Sequence, residues 1–341
     1  MTAKMREVAD RAGVSPATVS RVLNKTQYIK PETEKRVLDA VKELNYHKNV
    51  NALRLATGHS NMFGLVISEI ANPFFPEVIR GFQAAAWEQG CDVLLCNTEY
   101  SETQARAVIR KLLEADVRGV AVMTSSLGKS GTTQLTAAGV GLLFCNHGPA
   151  EKLISNVSID YQQGISQAIA HARSLGHRRA AILSGPKDHR EAAEIRRSLI
   201  AGLKAHRFTL DLVVESNTRA DHGASAIRKI LALREVPTVI FCGSDLIAMG
   251  AMNALQEAGR SVPGDISVIG IDDIAVAYLA RPPLTTIRVP REQLGAIAFQ
   301  ALQQMLKSKR QKGVECHLQT ELVIRRSTAP PAGQRTLVAA G

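Results

Sequence analysis

No apolar run in this chain reaches the roughly 18 residues that a membrane-spanning helix requires, and its opening residues are polar. Neither a membrane anchor nor a secretory leader is expected, and a cytoplasmic location is. Cysteine is sparse: Cys91, Cys96, Cys145, Cys242 and Cys316 are scattered, odd in number and without C-x-x-C spacing. Four of them sit in or beside apolar runs. That pattern fits buried free thiols in a reducing compartment better than a disulfide framework or a zinc site. There is no P-loop, no nucleophile elbow and no His/Cys cluster at metal spacing. The adjacent carboxylates Asp272 and Asp273 point different ways on leaving a strand, which spoils them as an acid/base couple. No enzyme activity, cofactor or metal is expected. Solenoid-length repeats are absent too.

What is present is an ordinary globular balance, 45% hydrophobic and 21% charged over 341 residues, enough for two or three domains. The formal net charge is +11, which points modestly to a polyanionic partner. Its distribution says more. Residues 1–60 carry eleven Lys and Arg against six Asp and Glu, a surplus of five on less than a fifth of the chain.

The same segment carries a motif. Met5, Val8, Ala9 and Ala12 share one side of a short helix, and Gly13 follows where a helix can end in a left-handed turn. Ser15 then has the hydroxyl of an N-cap, Pro16 suits the first helical position, and Val19, Val22 and Leu23 form one apolar stripe. Ser15, Thr18, Ser20, Arg21 and Asn24 lie on the other faces. Two short helices at a glycine turn make either a plain helical hairpin or a helix-turn-helix, whose second helix enters the major groove of DNA. Pro31 opens a third helix, with Val37, Leu38, Val41 and Leu44 as its expected core face.

Glu7-Val8-Ala9, Ala12-Gly13-Val14-Ser15, Ala17-Thr18-Val19-Ser20-Arg21-Val22-Leu23-Asn24 and Leu44-Asn45-Tyr46 resemble the amino-terminal domain of the LacI/GalR family of bacterial transcription regulators, and the likeness runs to about Thr328. One departure is Lys4, which stands where the family has a Ser or Thr cap. Because an ammonium cannot accept a hydrogen bond, a frayed first turn is expected. The resemblance implies a hinge over 47–60 that folds on DNA and drives a leucine into the minor groove. Leu55 holds that position, with Ala52 and Ala56 allowing close helix contact. An apolar wedge of this kind unstacks a base step at a cost of a few kcal/mol.

From Met62 the pattern changes. Strand-length apolar runs (63–67, 92–96, 119–123, 140–144, then 180–183, 212–214, 239–242 and 268–271) alternate with amphipathic helical segments, among them Pro76–Gln89, Glu191–Ala205 and Arg291–Lys307. That alternation means parallel sheets covered on both faces. The expected architecture is α/β: a three-helix helix-turn-helix domain over 1–46, the hinge, then two doubly wound parallel-sheet lobes of periplasmic-binding-protein type I over 61–328. The first lobe would take about 61–159 and 291–318, the second about 160–290 and 319–328. A disordered tail is expected over 329–341. It lacks the leucine heptads that tetramerise some relatives, so a homodimer is expected.

Site residues follow residue by residue from the resemblance. The base-reading positions hold Pro16, Ala17 and Arg21. Arg21 suits guanine O6 and N7, or else a phosphate, whereas Pro16 and Ala17 can offer only shape and methyl contacts. Ser15, Thr18, Ser20, Asn24 and Thr33 are short phosphate-positioning groups. Tyr28 and Tyr46 fall where relatives often touch the backbone, although either could serve the core or the surface. Asn49 and Leu55 come from the hinge. For the effector, Asn72 opens the loop after the first strand. Phe74 or Phe75 would stack on a sugar ring or belong to the core. Arg196 matches the family's ligand-gripping arginine, with Leu199 where a glycine is usual, and Asp272 matches its ligand aspartate. Asn146 and Ser244 end two other strands, and Thr218 replaces an aromatic wall. Asp273 is read as structural. Arg and Asp grip vicinal hydroxyls well, so a sugar or sugar derivative is the expected effector, with nucleobases and phosphorylated sugars left open. The function implied is a repressor released from a pseudo-palindromic double-stranded DNA operator by a small molecule. Alternatives are corepression, the same linkage with opposite sign, and a non-regulatory solute-binding protein.

Overall fold

The structure, a computed structural model, describes residues 3–24, 28–46, 60–187, 189–215 and 222–332. The chain divides into two compact units, Met1–Ser60 and Asn61–Gly341.

The first unit holds α1 (Met5–Ala12), α2 (Pro16–Asn24) and α3 (Pro31–Glu43). Gly13 sits at φ +64°, the left-handed turn its position requires, and the Val14 N–H closes back on the Ala9 carbonyl at 3.0 Å. Val8, Ala9, Ala12, Val19, Val22, Val37, Ala40 and Tyr46 are buried together as the core. Arg11 on α1 donates through Nε to Glu43 on α3 at 2.8 Å, an exposed pair that adds little stability. Two expectations are corrected. The first turn of α1 is not frayed at its cap: the Lys4 backbone N–H donates to Glu7 Oε2 at 3.2 Å, and the Lys4 carbonyl accepts from the Glu7 and Val8 N–H groups. Half of a capping box works without a capping side chain. Leu38 is 48% exposed, because the stripe that meets α1 and α2 runs through Val37, Ala40, Val41 and Leu44 at helical spacing.

The second unit contains two sheets. The first uses β1 (Met62–Ile67), β2 (Asp92–Asn97), β3 (Gly119–Met123), β4 (Gly141–Cys145), β5 (Ile154–Asp160) and β11 (Glu315–Gln319), in the order β11-β5-β4-β3-β1-β2. All its ladders are parallel. Helices α4 (Phe75–Glu88), α5 (Glu102–Glu114), α6 (Gly128–Ala137) and α12 (Arg291–Lys307) connect or cover it. The second uses β6 (Arg179–Ser184), β7 (Thr209–Glu215), β8 (Val239–Cys242), β9 (Ser267–Asp272), β10 (Thr285–Arg288) and β12 (Glu321–Val323), in the order β12-β10-β9-β8-β6-β7. Only β12 is antiparallel there. Its helices are α7 (Tyr161–Ser174), α8 (Arg190–Ala205), α9 (His222–Leu231), α10 (Asp245–Glu257) and α11 (Ala275–Leu279).

The chain therefore passes between the lobes three times: from β5 into α7, from β10 into α12, and from β11 into β12. Thr320, in the last crossing, ties it to the first. Its hydroxyl donates to the Asp160 carbonyl at 2.7 Å and accepts from the Gly164 N–H at 3.2 Å. Helices α4 and α12 are fused: a Cβ on Gly81 would meet the Glu292 carbonyl oxygen at 1.9 Å, and one on Gly295 the Val78 carbonyl oxygen at 2.0 Å. Two such approaches leave no room for a side chain between α4 and α12 at those positions. At the carboxyl end, Ala329 exchanges hydrogen bonds with Ser267, so the described start of the expected disordered tail is pinned. Residues 333–341 lie outside the described residues, as do those of the expected hinge from 47 to 59.

Candidate nucleic-acid interface and effector cleft

On α2 the apolar stripe turns inward and leaves a short polar face. Val19 and Val22 are buried, while Ser15, Pro16, Ala17 and Arg21 are exposed and Thr18 and Ser20 half-buried. Ser15 caps the helix: its Oγ accepts from the Thr18 N–H at 3.1 Å and lies 2.9 Å from the Thr18 hydroxyl. Arg21 is exposed and has no ion pair among the described residues, and its guanidinium carries five donors of the kind that suit an anion or a base edge. Thr33 is half-buried in the first turn of α3, and Tyr28 is 90% exposed. Tyr46 is buried in the three-helix core, which is the packing alternative of its two readings. The Asn24 side chain, Asn49 and Leu55 lie outside the described residues.

In the second unit Asn72, Phe74, Phe75, Asn146, Ser244 and Asp272 sit at or just past the carboxyl ends of strands, where open α/β sheets bind ligands, whereas Arg196 lies within α8. Asn72 follows β1, and its Oδ1 accepts from the Phe74 N–H at 3.0 Å, a turn that aims the chain into α4. Phe74 packs against the cores of both lobes, so it spans the space between them. Phe75, the alternative stacking ring, is a core residue with 5% exposure, and it meets Phe74 edge to face at 5.4 Å. Asn146 ends β4 at φ +49° and uses Oδ1 to accept from the Ile159 N–H at 2.7 Å. Ser244 caps α10 through the Ile247 N–H at 3.3 Å, which leaves its hydroxyl proton to donate. Thr218 lies outside the described residues.

Asp272 ends β9 at φ +118° and Asp273 follows at +57°, two consecutive left-handed residues without glycine. Three neighbours fix this bend. Buried Asp245 accepts from the Ile274 N–H at 2.8 Å and from the Thr286 hydroxyl at 2.5 Å. Asp273 accepts from Arg288 at 2.7 Å and from Arg325 at 2.5 Å, as its structural reading required. Arg291, 5% exposed, donates to the carbonyls of Asp272 and Asp273 and to Glu77. The Asp272 residue is half-buried, and no side chain among the described residues donates to its carboxylate. Burial first, then the charges of Asp245 and Glu191, push that carboxyl well above the usual range, against the weaker pull of Arg291 and the Asp245 backbone N–H.

Sequence reasoning missed Glu191 and Tyr161. The Tyr161 hydroxyl, buried at the first lobe crossing, donates to Glu191 on α8. Crowding by the surrounding protein raises the Glu191 carboxyl even though its side chain reaches solvent. Asp272 and Glu191 are therefore two acidic groups close enough for the charge of Glu191 to oppose the ionisation of Asp272. Tyr100 stacks on His189 at 4.9 Å, and Arg190 donates to the His147 carbonyl at 2.7 Å, so the start of α8 touches loops of the first lobe. Arg196 is half-buried, and its Nη1 is buried with no partner among the described residues. The glycine whose close approach matters on α8 is Gly202, where a Cβ would come 2.6 Å from Ile169 Cδ1; the residue three before it is Leu199, which is in the core. A separate hollow of about 660 Å³ is lined by Glu77, Asp273, Tyr278, Arg288, Arg291 and Arg325 among others, and by none of the eight predicted effector residues.

Comparison with known proteins agrees with this geometry. Residues 4–49 match the model of bacterial regulatory proteins of the lacI family, and residues 169–328 match that of the periplasmic binding protein-like domain. The chain is 32% identical over 328 residues to the HTH-type transcriptional repressor PurR of Photobacterium profundum, covering 95% of this chain and 98% of that one. With PurR of Vibrio atlanticus it shares 34% over 310 residues, covering 90% and 93%. The lac repressor dimer bound to operator and the anti-inducer ONPF superposes with a TM-score of 0.86 at 27% identity, over 96% of this chain and all of that one. The complex of the transcriptional regulator CelR with cellobiose gives 0.71 at 30% identity, over 95% and 99%. From the exposed face of α2 to the strand ends around Asp272, the chain belongs to the lacI family of bacterial regulatory proteins.

Proposed function

We propose that the chain is a cytoplasmic, homodimeric transcriptional repressor, released from a pseudo-palindromic operator when a sugar or sugar derivative occupies the cleft between its lobes. The observation that carries this reading is a likeness to PurR repressors over both the helix-turn-helix unit and the two-lobed unit. A relative sharing only one half would support DNA binding or ligand binding alone. The neighbours solved as an operator-bound dimer and with cellobiose support the partner classes. The residues also suit a polyhydroxyl ligand. Asp272 and Glu191 accept from hydroxyls, Arg196 offers a fork of donors, and Phe74 covers the apolar face of a ring. No catalytic step is assigned to the cleft.

Linkage then sets the mechanism: a ligand that prefers one lobe arrangement weakens operator binding, and operator weakens ligand binding by the same factor. The test is selection of duplexes from random sequence with the purified protein, followed by titration of the recovered site. A pseudo-palindrome is expected, with affinity falling roughly a thousandfold between about 50 and 200 mM salt. Binding indifferent to both sequence and salt overturns the proposal.

A further inference from the structure

Arg291 is the first residue of α12, at the second crossing between the lobes. Its guanidinium meets three acceptors on two different bodies. Nη1 donates to the Asp272 carbonyl, and Nη2 donates to the Asp273 carbonyl at 2.6 Å and to Glu77 Oε1 at 2.9 Å. Asp272 and Asp273 lie at the end of β9 in the second lobe, and Glu77 lies in the first turn of α4 in the first lobe. The side chain is buried to 5% exposure, and its Nε has no partner among the described residues. A buried guanidinium whose donors are so shared cannot follow one partner and keep the other. Moving the Asp272–Asp273 bend must pull on Glu77 or leave a buried charge short of acceptors.

Two further features make this contact directional. The bend holds two consecutive left-handed residues, so its backbone is already strained and depends on its braces. On the other side, Glu77 lies in the first turn of α4, so the pull reaches that turn through a side chain rather than through the Gly81 and Gly295 contacts further along the helices.

We propose that Arg291 is a positioning residue that transmits the state of the Asp272 carboxylate to helix α4 of the first lobe, with Glu77 as the receiving group. This goes beyond the repressor reading and rests on it only for its biological use, because the link itself needs neither operator nor effector. A ligand group that engages the Asp272 side chain shifts the bend. Arg291 carries the shift across the crossing.

The experiment is backbone hydrogen exchange on the full chain, without ligand or DNA. Asp272→Asn perturbs the side chain that a ligand would engage, and the readout is the exchange of peptides covering residues 76–84. The effect of Asp272→Asn is compared in three backgrounds: unmodified, Arg291→Met and Glu77→Ala. In the unmodified background exchange over 76–84 is expected to change by at least about threefold, and in the other two the change is expected to vanish. Glu77→Ala removes only the receiving group and leaves Arg291 on its two carbonyls, so it serves if Arg291→Met does not fold. No response over 76–84, or the same response in the Glu77→Ala background, overturns the proposal. Failure of operator selection instead sinks the repressor reading and leaves this result standing.

Discussion

Asp245 is fully buried at the start of α10, and burial raises its carboxyl to about 7 against an ordinary value of 3.8, a shift its hydrogen bonds from Thr286 and Ile274 only partly offset. The groups acting on it are Asp273, which raises it further, and Arg291, which lowers it; Asp272 feels Asp245 in turn. The sign follows from proton counting. Between 3.8 and about 7 the folded chain holds a proton that the unfolded chain has lost, so stability is greatest at the acid end and falls as pH rises through the folded value. Raising the pH from about 4.5 to about 7.5 through a shift of this size removes roughly 3 kcal/mol, at about 1.4 kcal/mol per pH unit. Asp245→Asn keeps the shape and abolishes the titration. The assay is urea unfolding of both proteins across that interval, read by a probe of the two-lobed unit. The stability of Asp245→Asn relative to the parent should climb by about 3 kcal/mol from the acid to the neutral end, on top of a pH-independent offset from rearranging the Thr286 bond. The Glu191 shift is present in both proteins and cancels in the difference, whereas Asp272 loses the charge of Asp245 in the variant and adds to the climb with the same sign. Parallel stability curves would show that Asp245 is ionised throughout, and the reasoning from burial would be wrong.

Other outcomes follow from the same structure. Arg21→Ala should relax base preference, losing about 1–3 kcal/mol of discrimination at one position, while circular dichroism stays unchanged because Arg21 is exposed and packs in no core; loss of the helical signal contradicts this. Arg196→Ala and Asp272→Ala should each abolish the effect on operator affinity of whichever sugar raises the melting temperature of the parent, with operator binding retained; a normal response removes that residue from the site. Gly81→Ala should destabilise the two-lobed unit by about 3 kcal/mol or more, because its methyl would overlap the Glu292 carbonyl and force α4 from α12. An unchanged urea midpoint would show that the two helices are not fused.

The legible parts of the fold are those where one local rule acts alone. The α2 stripe of Val19, Val22 and Leu23, the Gly13 turn and apolar runs such as Gly119–Met123 each declare themselves by period or by a special residue. β5 escaped because Ser155 and Asn156 interrupt its apolar run although both are buried. Their polar groups are satisfied by distant partners: the Ser155 hydroxyl by the Val314 N–H at 3.1 Å and the Asn156 amide by Glu315 at 3.1 Å. No window of sequence around β5 contains those partners. β11 and β12 were hidden for a related reason, being short, largely exposed edge strands with little apolar signal. Leu38 misled because residues 37 and 38 are both apolar, and only contact with α1 and α2 decides which of them faces inward.

The site divides along the same line. Asp272 and Phe74 could be named because each falls in a stretch that carries the family resemblance. Arg291 and Glu191 carried no such mark, since a charge at the start of an amphipathic helix reads as solvated surface. What distinguishes them is the acceptor or donor each meets from far along the chain: Glu77 for Arg291, Tyr161 for Glu191. Both bonds join a segment at a lobe crossing to an element beyond it, and this placement has a physical reason. On the proposed reading of the site, Asp272 presents its carboxylate to a ligand and so cannot also be anchored by it; its backbone is held instead. No side chain among the described residues donates to its carboxylate, while its carbonyl is gripped by an arginine that also grips the other lobe. A protein that only stored a ligand could brace the bend from within one lobe, as Asp245 already does through Ile274. A second brace that reaches across the crossing adds nothing to such storage, but it does let the ligand-facing strand and the first-lobe helix respond to each other, as a regulator requires.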